Sequence, residues 1–260
     1  MPPRTDPRHR WRLGVAVLLA LILLPGILVL TTGHSTPHGL PLNSGDGKND
    51  NKASPSRELT ERLKACVFPV HARNPDENDL KRVRVELGSC IAVGEKGTFL
   101  TAAHVVRGDP KTTRVVVLVG EKELPATVIR SEGGCDAAVL SVPDYDGAVL
   151  DLADAPPKRE TPVFVAGFPV KFSGAAIPRL IITSGRIDEL AVPSPLKELH
   201  KGDVIRIVGV SDVGGSGGAV VDPSGSLLGV VYTVRFVGNE VTHIHAIAAS
   251  DLKPLVSEKR

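Results

Sequence analysis

Three side chains in this sequence have the types that nucleophilic acyl chemistry needs, and each sits in a short, distinctive context. His104 lies in Thr101-Ala102-Ala103-His104-Val105-Val106. Asp136 opens Asp136-Ala137-Ala138-Val139-Leu140, just after Gly133-Gly134. Ser216 is the centre of Gly214-Gly215-Ser216-Gly217-Gly218. A serine hydroxyl is a poor nucleophile at its own pKa and needs an adjacent base to take its proton. An imidazole titrates near neutrality and can accept that proton, then return it to a leaving amine. A carboxylate behind the ring holds the correct tautomer and stabilises the imidazolium. Each context alone has an ordinary explanation: a histidine beside a short helix, an aspartate capping a turn, a glycine-rich loop. Together, at separations of 32 and 80 residues, they define one candidate site.

Those residues must be held by a β framework. Glycine (26 residues) and proline (21) punctuate the chain throughout, which favours short strands joined by turns over long helices. Strand-like runs read 66–73, 82–93, 98–101, 114–119, 124–130 and 137–142, followed by a loop near 154–157. A second set reads 162–167, 179–190, 203–208, 218–221, 227–234 and 241–246. Two groups of six short runs predict an all-β fold of two small antiparallel barrels, about 62–150 and 160–250. Only the tail from Ser250 to Glu258 reads as helix, with Ser250 as its N-cap; Glu58–Lys64 reads as a short amphipathic stretch.

Ahead of this domain (58–260), residues 13–30 are uncharged and almost wholly apolar. Eighteen residues of helix span roughly 27 Å, close to the hydrocarbon thickness of a bilayer. Arg4, Arg8, Arg10 and Arg12 precede the run, which predicts a cytoplasmic tail over 1–12 and a domain outside the cytoplasm. The run is longer than the usual apolar core of a cleaved signal peptide, so an uncleaved transmembrane anchor is the expectation, with secretion after cleavage as the alternative. Residues 31–57, rich in Gly, Pro, Ser, Asn and Asp, read as a flexible linker. His34 and His38 within it read as solvated linker histidines. Four arginines against Asp6 put +3 in the first 12 residues, which leaves −1 for the rest of a chain of net charge +2. A near-neutral domain excludes the basic footprint of a nucleic-acid binder.

The motifs T-A-A-H, D-A-A-V-L and G-x-S-G-G, in the order His, Asp, Ser, resemble the trypsin-like serine peptidase superfamily over about 62–258. Val163–Pro169, Thr183–Ile187 and Ala246–Ser250 look nearer to bacterial Deg/HtrA-type peptidases than to digestive ones. The resemblance implies a serine endopeptidase acting on polypeptides through an acyl-enzyme, with His104, Asp136 and Ser216 as triad and no cofactor or metal. It implies an oxyanion hole along Gly214, Gly215 and Ser216, with the amides of Gly214 and Ser216 as donors. By superfamily geometry the primary specificity pocket falls near Val210, Ser211, Val231, Tyr232 and Thr233. With no acid at Val210, the expectation is small or medium apolar side chains.

The sequence also departs from that pattern. Gly215 stands where many relatives carry Asp or Asn, and no activation motif is visible near Arg57–Phe68, so activation by insertion of a cut N-terminus is not expected. Val105 follows His104, so Cys90 lacks the partner that many relatives provide. Three cysteines, Cys66, Cys90 and Cys135, read as semi-buried thiols, with a Cys66–Cys90 bridge as the rival reading. With ten residues after Ser250, an attached PDZ domain is not expected. His243 and His245 share one face of a strand, but no third ligand accompanies them as zinc would need. A catalytically silent trypsin-like fold serving as a peptide-binding module remains the alternative function. An α/β-hydrolase is disfavoured by the order of the three residues.

Overall fold

The computed structural model describes residues 53–75, 83–131, 134–169, 179–210, 215–237 and 240–257. The expected cytoplasmic tail, the anchor over 13–30 and most of the linker lie outside the described residues. So do Ser211 and Gly214. Among the described residues no helix is long and apolar enough to cross a membrane.

A short helix, α1 (Arg57–Cys66), precedes six strands: β1 (Val67–Pro75), β2 (Val83–Ala92), β3 (Thr98–Ala102), β4 (Arg114–Val119), β5 (Lys122–Ser131) and β6 (Ala137–Ser141). Six more follow: β7 (Pro162–Gly167), β8 (Ile181–Pro193), β9 (Asp203–Val208), β10 (Ala219–Val221), β11 (Leu227–Val237) and β12 (Glu240–Ala248). Helix α2 (Ala249–Ser257) ends the described chain. The first six strands close a barrel in the order β1-β2-β3-β6-β5-β4, and the second six close another. Read from β7, the second order is β7-β8-β9-β12-β11-β10, the same path repeated. All pairs are antiparallel.

The strands at the centre are apolar on both faces, because each face meets a different core. In β6, Ala138 and Leu140 point into the first barrel, whereas Ala137 and Val139 point to the layer between barrels. In β11, Leu228 and Val231 fill the second barrel, whereas Leu227, Val230 and Tyr232 join the shared layer. In β6 this is the period-two alternation of a pleated strand with both sides buried, whereas in β11 a register shift at Leu228 breaks the phase, so that Leu228 and Val230 face different cores. Closure of each barrel leaves no open sheet edge.

Two expectations about helices are corrected. The stretch at 58–64 is a helix of ten residues, not merely amphipathic chain. Ser56 caps it, its Oγ accepting from the Leu59 amide at 3.0 Å. Leu59, Leu63 and Cys66 form one stripe that seals the shared core. Ser250 is not an N-cap: β12 runs through Ala248 and the helix starts at Ala249, so Ser250 lies in its first turn. Two buried residues of α2, Leu252 and Leu255, return it to the core that α1 covers.

Candidate active site

His104 and Asp136 are brought together by strand register. β3 and β6 pair with Ala102 opposite Ala137. The residue after β3 and the residue before β6 therefore lie side by side, and the Ala103 amide donates to the Asp136 carbonyl at 3.1 Å. The chain then tightens into a 3₁₀ turn, Ala103–Val106, which aims the His104 ring back at the aspartate. His104 Nδ1 lies 2.6 Å from Asp136 Oδ2. The His104 amide donates to Oδ1 of the same carboxylate at 2.8 Å. A carboxylate accepts, so the neutral tautomer that suits this contact has its proton on Nδ1 and its lone pair on Nε2. Asp136 is 1% exposed and His104 28%, so the carboxylate is sealed while the ring reaches solvent. Burial of the carboxylate makes this short contact electrostatically stronger than the same contact in water.

Ser216 sits on a tight turn between the barrels. The Gly218 amide donates to the Gly215 carbonyl at 2.9 Å, closing a four-residue turn with Ser216 and Gly217 at its corners. Gly217 has φ +85°, the positive value a type II turn needs at its third residue. On one side the turn is stitched to β11, with Gly217 donating to the Val231 carbonyl at 2.7 Å and Val231 donating to Gly218 at 2.8 Å. On the other side the Ser89 amide donates to the Ser216 carbonyl at 2.8 Å. Gly88 lies between the two halves of the site: a Cβ there would fall 2.6 Å from Val105 Cγ1 and 2.9 Å from the Ser216 carbonyl. The turn carrying Ser216 and the turn carrying His104 thus press on the same residue of β2.

Gly215 has no room for the side chain that many relatives carry there. A Cβ would collide with the Phe168 carbonyl and lie 3.3 Å from Ser89 Oγ. Packing therefore excludes Asp or Asn at this position in the present conformation.

The expected specificity residues divide between two places. Val210 and Val231 are buried in the second barrel with Ile244 and Ala246. Tyr232 points to the opposite face, where its hydroxyl meets Ser194 Oγ at 2.8 Å and accepts from the Leu196 amide at 3.4 Å. Val231 and Tyr232 are adjacent on β11 and pack in different cores. Burial raises the Tyr232 phenol above its ordinary value, partly offset by the Ser194 hydrogen bond. Thr233 is half-buried on the same strand.

The same β8–β9 loop reaches the first barrel, where the Lys201 amide donates to the Gly134 carbonyl at 2.8 Å. Glu198 and Leu199 of this loop line a cleft of about 590 Å³ beside Asp136, together with Ala103, Arg107, Gly134 and Cys135.

No disulfide forms among the described residues, which include all three cysteines. Cys66 belongs to the shared core and Cys90 to the interior of the first barrel, so they lie on different sides of the sheet. Burial pushes the Cys66 thiol up to about 11 and Cys90 well above its usual range. His243 and His245 form an edge-to-face ring pair with centroids 4.8 Å apart. Among the described residues no group of three or more metal-ligating side chains assembles.

Two residues around the site were not singled out in the sequence. Ser89 and Thr101 are fully buried, and the Thr101 hydroxyl donates to the Ser89 carbonyl at 2.7 Å. Thr101 stands inside the motif that carries His104, which is the signal that could have marked it.

Comparison with known proteins bears on the family and the fold. Serine protease Rv3671c of Mycobacterium tuberculosis is 34% identical over 136 residues, covering 51% of this chain and 32% of that protein. An HtrA-like serine protease of Staphylococcus aureus is 27% identical over 261 residues, covering 92% of this chain and 33% of that protein. The chain thus spans about a third of the length of these curated relatives. The active form of the Rv3671c protease superposes with a TM-score of 0.62 at 24% identity, covering 90% of this chain and 96% of the solved one. The HtrA-type protease AlgW with a tripeptide gives a TM-score of 0.62 at 23% identity, covering 78% of this chain and 64% of that one. These structural likenesses speak to the fold. The model of the trypsin-like peptidase domain matches residues 88–230, more than half of the sequence, and the chain belongs to that family.

Proposed function

We propose that this chain is a serine endopeptidase in which His104, Asp136 and Ser216 form the catalytic triad. The observation that carries the reading is the double hydrogen bond from His104 to the buried Asp136 carboxylate. It favours the neutral tautomer with Nε2 as acceptor, the form a general base must have. Ser216 Oγ would attack the scissile carbonyl as Nε2 takes its proton. The imidazolium would then protonate the leaving amine, and water would release the acyl group by the same steps in reverse. Amides along Gly214, Gly215 and Ser216 would receive the oxyanion. A single such donor is worth about 2.7–4 kcal/mol in other enzymes.

The substrate is a polypeptide, and the residue before the cleaved bond is small or medium and apolar. The apolar Val210, where an acid would favour basic side chains, supports this preference. The uncharged run over 13–30 behind four arginines supports a single membrane span with the peptidase domain outside the cytoplasm. Alkaline carbonate extraction of membranes from cells expressing the full chain tests the anchor, which predicts retention in the pellet.

The activity is tested with the full chain in detergent on fluorescein-labelled casein, beside Ser216→Ala. The expected result is release of labelled peptides by the wild-type chain alone. Equal release by both, or none by either, overturns the reading.

A further inference from the structure

The proposed base and nucleophile come from different barrels, and something must hold them in register. We infer that Ser89 and Thr101 are positioning residues that do this, forming a buried clamp between the strand that delivers His104 and the turn that carries Ser216. The inference rests on the peptidase reading above and adds residues to which that reading gives no role.

The clamp follows from where a ladder stops. β2 and β3 pair from Ala92 opposite Phe99 to Cys90 opposite Thr101. After Ala102 the chain turns away to place His104. The next residue of β2, Ser89, therefore presents its N–H and C=O beyond the end of the β2–β3 ladder. Buried backbone polar groups need partners, and Ser89 is fully buried. Its N–H is taken by the Ser216 carbonyl at 2.8 Å. Its C=O is taken by the Thr101 hydroxyl at 2.7 Å. One peptide segment of β2 thus binds the nucleophile's own carbonyl on one atom and the His104 strand on another.

The Ser89 side chain adds a third tie. Its Oγ accepts from the Phe168 amide at 2.9 Å. Phe168 follows β7, and its carbonyl packs against Gly215, one residue before the nucleophile. Gly217, one residue after it, lies against the Ser89 carbonyl and the Thr101 hydroxyl, where no Cβ would fit. Ser216 is therefore bracketed on both sides by groups that Ser89 organises. Ser89 and Thr101 are fully buried, so water does not compete for the bond between them, whereas Phe168 and Ser216 are half-buried.

Thr101→Val keeps the shape of the side chain and removes the donor. Thr101→Ser keeps the donor and removes a methyl. Full chains of both would be compared with the wild type by peptide hydrolysis, by the rate of Ser216 labelling with a fluorophosphonate, and by thermal melting. Misplacement of a reacting group by about 1 Å can cost about 100-fold, so kcat should fall roughly 10- to 100-fold in Thr101→Val with KM within about twofold. Labelling should slow in parallel, and Thr101→Ser should stay close to the wild type. Valine and serine variants that lose activity equally would assign the effect to packing and overturn the clamp. So would a folded valine variant with wild-type kcat. If Thr101→Val does not fold, Ser89→Ala is judged by the same kcat and labelling rates. A wild-type chain that takes no label at Ser216 overturns the peptidase reading itself and the clamp with it, whereas a labelled wild type beside an unaffected valine variant overturns the clamp alone.

Discussion

Asp136 receives two hydrogen bonds from one residue: the His104 ring nitrogen at 2.6 Å and the His104 backbone amide at 2.8 Å. The pair is therefore fixed in rotation as well as distance, because turning the carboxylate to relax one bond breaks the other. Asp136→Asn keeps the volume but offers the ring an amide group that can present N–H where a carboxylate presents only acceptors. The expected outcome is loss of about 10⁴-fold in kcat through the wrong tautomer, as when such an aspartate is replaced elsewhere. Amide hydrolysis by purified Asp136→Asn checks this, with circular dichroism to establish that the barrels remain.

Gly217 tolerates no side chain for two independent reasons. Its φ of +85° is strained for an L-residue. A Cβ would also collide with the Ser89 carbonyl. Gly217→Ala should lower stability by roughly 1–3 kcal/mol or more and abolish Ser216 reactivity, since the turn must open to admit the methyl. Denaturant melts and labelling of the same sample measure the two effects separately.

His245 makes stability depend on pH. It is buried on β12 beside His243 and Tyr232, with Arg206 of β9 and Arg235 of β11 acting on it. Burial first, then the neighbouring positive groups, lowers its pKa from 6.5 to about 4. The folded protein therefore holds the ring neutral where the unfolded chain would protonate it. The contribution is complete above about pH 6.5 and is lost as pH falls toward about 4. The melting temperature should drop across that window, and His245→Gln should flatten the drop. Equal slopes for both proteins would show that another group governs the effect.

The thiols of Cys66 and Cys90 are buried, and both pKa values are raised by burial. Thiolate is the reactive form. Ellman's reagent should therefore react with these two cysteines only after denaturation, and dithiothreitol should leave the melting temperature unchanged. Fast modification of Cys66 or Cys90 in the native protein, mapped by mass spectrometry, would contradict this.

All twelve strands were legible in the sequence because alternating and continuous apolar runs between glycine- and proline-rich turns leave few other structures. Their ends moved by no more than three residues, as where β8 runs to Pro193 and β11 to Val237. Helix α1 had a readable stripe in Leu59, Leu63 and Cys66, but ten mostly polar residues give a weak signal without the core that they cover. The start of α2 depended on how far β12 stays paired, which is set by Gly229 opposite Ala248 across the sheet. At the site, motifs carried His104, Asp136 and Ser216. The strand face was the harder matter: Val231 and Tyr232 are adjacent in sequence yet lie in different cores. Ser89 was invisible because its backbone does much of its bonding, and a backbone leaves no signature in residue type.

The most direct measurement is labelling of the full chain with a fluorophosphonate probe, beside Ser216→Ala and His104→Ala, with the adduct located by mass spectrometry. The account predicts stoichiometric modification of Ser216 in the wild type and none in either variant. A wild-type chain that stays unlabelled, or labelling of Ser216 that survives loss of His104, would contradict it.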